Sequence, residues 1–188
     1  MQLHLIDCDP ALVRAWRDVF RDRDDVTVHE DGYFAHPAAA MVSPANSFGI
    51  MDGGLDLAIR NELGFAVQQR VQRAIIDGHH GELPVGAVVV VDTADPRWPL
   101  LVVAPTMRIP EPVGGTLNAY LAARAAFLAC LARGVASMVC CGLATGIGAM
   151  DPRRAAVQMR MALIHATGPA HIPSFQQIHE VHQALRCA

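Results

Sequence analysis

Lysine is absent from this chain: all fifteen basic residues are arginine. That excludes any mechanism built on a lysine nucleophile or a Schiff base. Cysteine is scarce. Cys8, Cys130, Cys140, Cys141 and Cys187 make an odd count with no Cys-x-x-Cys spacing, so neither a zinc site nor a disulfide framework is indicated, and the thiols read as buried packing. No apolar run is long enough to cross a bilayer; the longest strongly apolar stretch is Ala87 to Val91. No charged-then-apolar leader with a small-residue cleavage site stands at the N-terminus, so the chain is expected to be cytoplasmic, with no membrane partner.

What is present suits a globular fold: 188 residues, 52% hydrophobic and 18% charged, expected to form a single domain over 1–188. The net charge of −3 gives no electrostatic case for a nucleic-acid partner. Charge is nevertheless uneven. Eight acids stand against four arginines in residues 1–31, whereas residues 97–188 hold eight arginines against Glu111, Asp151 and Glu180.

Short β-like runs alternate with helical patterns. Strands are predicted over Gln2–Asp7, Val26–Glu30, Ala38–Ser43, Gly86–Thr93, Leu100–Thr106 and Ala136–Gly142. The fourth and fifth are apolar and β-branched, as buried central strands should be. Helices are predicted from Pro10 to about Arg23, with Asp9 as N-cap, and over Leu55–Leu63, Phe65–Asp77, Thr116–Arg133, Pro152–Thr167 and Ser174–Arg186. This alternation implies an α/β fold with a mixed, mostly parallel sheet covered on both faces.

In such sheets ligands bind at the carboxyl ends of the strands, in the loops that lead into helices. Two of those loops are glycine-rich. One runs Ser43-Pro44-Ala45-Asn46-Ser47-Phe48-Gly49-Ile50-Met51-Asp52-Gly53-Gly54-Leu55-Asp56, the other Gly142-Leu143-Ala144-Thr145-Gly146-Ile147-Gly148-Ala149-Met150. Glycines there let backbone N–H groups approach an anion, and a helix N-terminus adds the positive end of its dipole. Side by side, the two loops would suit a diphosphate. Neither is a Walker A loop nor a spaced G-x-G-x-x-G.

The first loop resembles the signature of the macro domain, with Asn46 ahead of Gly53-Gly54-Leu55-Asp56 and Asp56 ten positions after Asn46. Gly81–Ala87 resembles that family's turn before its next strand, and Thr145–Met150 its phosphate loop, so residues 26–165 are covered in order. Ser43–Gly49 with Ala104–Arg108 is most similar to the bacterial and phage branch. The resemblance implies a three-layer α-β-α fold that binds ADP-ribose or an ADP-ribosylated protein, without a cofactor or metal. It places Asn46 at the distal ribose, Gly53, Gly54 and Leu55, together with Ala45, along the ribose and diphosphate, Thr145, Gly146, Ile147, Gly148 and Ala149 around the diphosphate, and Asp31 at the adenine. Three departures stand out: Asp31-Gly32 where the family reads Gly-Asp, Asp52 where many relatives have glycine, and Arg60 where hydrolytic members often have histidine.

Simpler roles remain open for these residues. Asn46 could shape its loop through an Asx-turn, Asp56 could answer the helix dipole, and Asp31 could belong to the turn at Gly32. Tyr33 and Phe34 suit the core better than an adenine stack. His171, His179 and His182 suit a solvated helix better than a metal site, and Cys140-Cys141 suits an apolar strand better than a nucleophile. The resemblance admits a hydrolase of ADP-ribosyl esters or O-acyl-ADP-ribose, with Asn46 and Asp56 as catalytic residues. It equally admits a non-catalytic reader, or a phage-like structural protein that keeps only the fold.

Overall fold

The structure, a computed structural model, describes residues 1–187. Its elements follow one another as β1 (Gln2–Asp7), α1 (Pro10–Val19), β2 (Val26–Glu30), β3 (Ala40–Ser43), α2 (Gly54–Leu63), α3 (Ala66–His79), β4 (Val89–Asp92), β5 (Leu100–Val103), α4 (Asn118–Ala132), β6 (Ser137–Cys140), α5 (Pro152–Thr167) and α6 (Phe175–Cys187). The strands form one six-stranded sheet in the order β2-β1-β6-β3-β5-β4. Every neighbouring pair is parallel except β4 with β5. Helices α1, α4 and α5 pack together on one side, while α2 and α3 pack on each other and on β3 and β4, which gives the three-layer α-β-α architecture.

Apolar residues define the layers. Leu3 and Leu5 of β1, Met41 of β3, Trp16 of α1, Phe127 of α4 and Trp98 are fully buried. Asp9 caps α1 by accepting from the Ala11 N–H at 2.9 Å, and Pro10 supplies the first helical residue, where its missing N–H costs nothing. This helix ends at Val19 rather than near Arg23, because Phe20 turns inward and the charged stretch after it folds into tight turns.

The larger correction concerns β4. Its apolar run predicts a central strand, yet β4 is the antiparallel edge. Val89 and Val91 are buried, Val88 and Val90 are half-buried, and Arg70 of α3 donates to the Asp92 and Thr93 carbonyls at 3.2 Å. Helix α3 therefore covers an edge that would otherwise face solvent.

Strands β3 and β6 pair only at Ala40↔Met138 and Met41↔Val139. Beyond that point the buried Tyr33 hydroxyl enters between them. It donates to the Val42 carbonyl at 2.6 Å, accepts from the Val42 N–H at 3.1 Å and lies 3.2 Å from the Val139 carbonyl. Tyr33 thus belongs to the core, and its hydroxyl takes the place of ladder bonds where the two strands part. Tyr33→Phe keeps the ring but strips these buried backbone groups of their partner. It should lower unfolding free energy by roughly 1–3 kcal/mol in a denaturant titration; a change within about 0.3 kcal/mol would show that the groups find other partners.

Candidate functional site

The first glycine loop is fixed at both ends. Segment 104–108 runs beside it: Ala104 N–H donates to Ser43, Thr106 N–H to Ala45, and Ser47 N–H to Arg108, at 3.0, 3.0 and 3.1 Å. Asn46 forms the Asx-type turn. Its Oδ1 accepts from the Phe48 and Ile50 N–H groups at 3.0 and 3.3 Å, and its Nδ2 donates to the Ile50 carbonyl at 2.7 Å. Gly49 adopts φ +59°, and a Cβ there would come within 2.7 Å of Val71, so α3 holds the loop from behind.

The loop then delivers the N-terminus of α2. Gly53 is its N-cap and offers no side-chain cap. Among the described residues, the N–H groups of Gly54, Leu55 and Asp56 find no protein acceptor, whereas Leu57 N–H already bonds to Gly53. Free amides and the dipole of α2 therefore open at one point.

The second loop follows β6. Its ends are cinched by Met150 N–H to Ala144 (2.9 Å), Ala149 N–H to Gly146 (3.0 Å) and Val113 N–H to Gly148 (2.7 Å). Ala144 and Ala149 sit at φ 64° and 50°, a conformation costly for any residue with a Cβ. Within this ring the N–H groups of Thr145, Gly146, Ile147 and Gly148 find no protein acceptor among the described residues. A Cβ on Gly148 would lie 2.5 Å from the Ala144 carbonyl oxygen; on Gly146 it would meet nothing within 4 Å. Helix α5 does not contribute free amides here, because Asp151 caps the Arg153 and Arg154 N–H groups.

The pairing of β3 with β6 sets the two loops side by side, and a cleft of about 340 Å³ lies between them. Of the residues singled out in the sequence, Ala45, Asn46, Gly53, Gly54, Leu55, Asp56, Thr145, Gly146, Ile147 and Gly148 line it. Asp31 and Ala149 are not among the lining residues. Asp31 instead turns to its own loop, accepting from Gly32 N–H at 2.7 Å and facing His36 Nε2 at 3.2 Å. Asp7, Asp9, Asp52, Thr106, Met107, Cys141 and Gly142 also line the cleft. The Asp7 carboxylate accepts from the N–H groups of Asp9 (3.0 Å) and Gly142 (3.3 Å), tying β1 to the second loop.

Asp56 is the buried acid of the site, and the Ser43 hydroxyl donates to its carboxylate. Burial is the main cause that raises Asp56 to about 6, with the negative charge of Asp52 adding to it and the Ser43 bond opposing it. Cys141 reaches the cleft, but burial pushes its thiol well above the usual range, which leaves no thiolate for attack. Arg60 donates to Gln68 at 3.2 Å and is not a lining residue. Among the described residues no group of three or more His, Cys, Asp or Glu is arranged to hold a metal. A second hollow, along α3 between Ala66 and Asp77, carries neither glycine loop.

The family model for the Macro domain matches residues 42–159, which take in both loops, all of β6 and the end of β3. A stretch of 125 residues, 66% of this chain, is 28% identical to an uncharacterised protein of Aeropyrum pernix, and spans 63% of that protein. The macrodomain of Mycobacterium tuberculosis DarG matches with a TM-score of 0.61 at 18% identity, covering 81% of this chain and 90% of its own. A glycine-to-valine variant of the Oceanobacillus iheyensis macrodomain with ADPR gives 0.60 at 14%, covering 82% and 88%. The Trypanosoma brucei macrodomain in complex with ADP gives 0.58 at 17%, covering 72% and 55%. With its glycine loops in place and more than half its length matched by the family model, the chain belongs to the Macro domain family.

Proposed function

We propose that the cleft between the two loops binds ADP-ribose, free or attached to a protein, and that Asp56 serves there as a general base for hydrolysis of an ADP-ribosyl or O-acyl-ADP-ribose ester. The observation that carries the binding half is the double set of unpaired amides, Gly54–Asp56 and Thr145–Gly148, facing one cleft. Neutral backbone donors held in place beforehand suit a diphosphate, since little ordering remains to be done on binding. Structural relatives that hold ADPR and ADP support this choice of ligand. We read residues 1–188 as one module that carries the whole site.

Asp56 supports the hydrolytic half. A carboxylate that titrates near 6 is mostly ionised at neutral pH yet basic enough to take a proton from water. In that role the water oxygen bonds to the acyl carbon while its proton passes to Asp56. The ester C–O bond then breaks, and the proton moves on to the ribose oxygen that leaves. Asn46, whose carboxamide is engaged by its own loop, contributes by holding Ile50 and Phe48 in place.

Gly146→Glu adds a Cβ that meets no neighbour, so the fold should survive with a stability change within about 0.5 kcal/mol, while the carboxylate faces the diphosphate. Calorimetric titration should then show ADP-ribose affinity reduced at least about tenfold; undiminished affinity in a folded variant would remove the second loop from the site. For Asp56, turnover should rise with pH through about 6 and level off, and Asp56→Asn should lower it at least about a hundredfold. Its raised pKa means that folding favours the protonated acid. The associated stability is full below about 4 and is lost as pH rises through about 6. Asp56→Asn should therefore be more stable than the parent at pH 7–8, by up to about 3 kcal/mol, with the difference closing toward pH 4. Equal turnover in parent and variant would refute the general-base role.

A further inference from the structure

Among the described residues no hydrogen bond joins the two glycine loops directly. The sheet joins them at their roots, because the ladder between β3 and β6 ends at Met41↔Val139, well before the free amides of either loop. A second connection runs outside the sheet, through the chain between β5 and α4. Thr106 holds the first loop with two bonds, its N–H donating to the Ala45 carbonyl at 3.0 Å and its hydroxyl to the Pro44 carbonyl at 3.3 Å. The Thr106 carbonyl in turn accepts from Nδ2 of Asn118, the first residue of α4, at 2.8 Å. The Asn118 N–H donates to the Thr116 hydroxyl at 3.1 Å, and that hydroxyl donates to the Val113 carbonyl at 2.7 Å. The relay ends on the second loop, where the Val113 N–H reaches the Gly148 carbonyl at 2.7 Å.

This strut is packed as well as bonded. A Cβ on Gly114 would lie 3.1 Å from the Ala149 carbonyl oxygen, and one on Gly148 would lie 2.9 Å from a Val113 methyl. The fully buried Gln158 of α5 anchors it from behind, accepting from the Tyr120 N–H at 3.1 Å and donating to the Thr116 carbonyl at 2.9 Å. Residues 108–112, between the two ends of the strut, are all exposed, so Asn118 rather than that excursion ties Thr106 to Val113. We propose that Asn118 is a positioning residue, which fixes the separation of the two sets of free amides so that one diphosphate meets both. This rests on the reading of the cleft as an ADP-ribose site. The two phosphoryl groups of a diphosphate have a set spacing, and donors already held at a matching distance lose little freedom on binding. Asn118 does not line the cleft and acts through Thr106 and Val113. Without its side-chain donor the Thr106 carbonyl loses that partner, and the strut no longer spans from one loop to the other.

The test is titration of the full chain with ADP-ribose and with AMP, well below the melting temperature, as parent, as Asn118→Ala and as Thr116→Val. Alanine suits the first turn of α4, and valine keeps the shape of threonine while removing the hydroxyl that links Asn118 to Val113. A single phosphate can rest on one set of amides and does not need the other at a fixed distance. ADP-ribose affinity should therefore fall at least about tenfold in Asn118→Ala, and AMP affinity by less than about threefold. Thr116→Val should change the two affinities in the same order, and it carries the test alone should Asn118→Ala not fold. A role confined to stability would lower the melting temperature and leave the ratio of the two affinities as it is in the parent. That unchanged ratio, in a folded variant, overturns the proposal. A parent that does not bind ADP-ribose would overturn the reading of the cleft itself, and this inference with it.

Discussion

The site depends on the parallel pairing of β3 with β6. These strands are about a hundred residues apart in sequence, yet their contact at Ala40↔Met138 and Met41↔Val139 brings both glycine loops to the same end of the sheet. The pairing stops after two residues, the Tyr33 hydroxyl satisfies the backbone where the strands diverge, and the cleft opens beyond it. Each loop is then locked separately, the first by segment 104–108 and α3, the second by its own ring of hydrogen bonds. What remains free is a set of backbone donors with no protein partner among the described residues.

The electrostatics of the cleft combine backbone donors with acidic side chains. Positive potential for an anion would come from amides and the dipole of α2, not from cationic side chains, since every ionisable group that lines the cleft is acidic or a thiol. In the proposed function, neutral donors hold the diphosphate without tying up a carboxylate, which leaves Asp56 to act as the base. The same burial that gives Asp56 its basicity makes its ionised form a cost to folding at neutral pH. The positive φ of Ala144 and Ala149 in the second loop is a further cost to folding that the surrounding hydrogen bonds offset.

Much of this was legible in the sequence because its signals are local. Gly53-Gly54 before an amphipathic helix, Asp9-Pro10 at a helix start and the Gly146/Gly148 loop report their own geometry, and most element boundaries fall within a few residues of those expected. The rest depends on strand order. Asp7 enters the cleft only because β1 lies next to β6, and an aspartate at a strand end carries no sign of that. The run around Val89–Asp92 is apolar enough for a central strand, but α3 buries it as an edge. Asp31 follows β2, one of the two outer strands, and its carboxylate turns toward Gly32 and His36. Asn46 combines both cases: its turn is written in the loop, while its place in the cleft comes from the sheet.

The most direct test of the account is a titration of the isotope-labelled protein with ADP-ribose, followed through its backbone amide resonances. The largest shifts are expected together on Gly54, Leu55 and Asp56 of the first loop and on Gly146, Ile147 and Gly148 of the second, with AMP moving them far less. Shifts confined to one loop, or centred on the hollow along α3, would contradict the claim that two sets of unpaired amides form one diphosphate site.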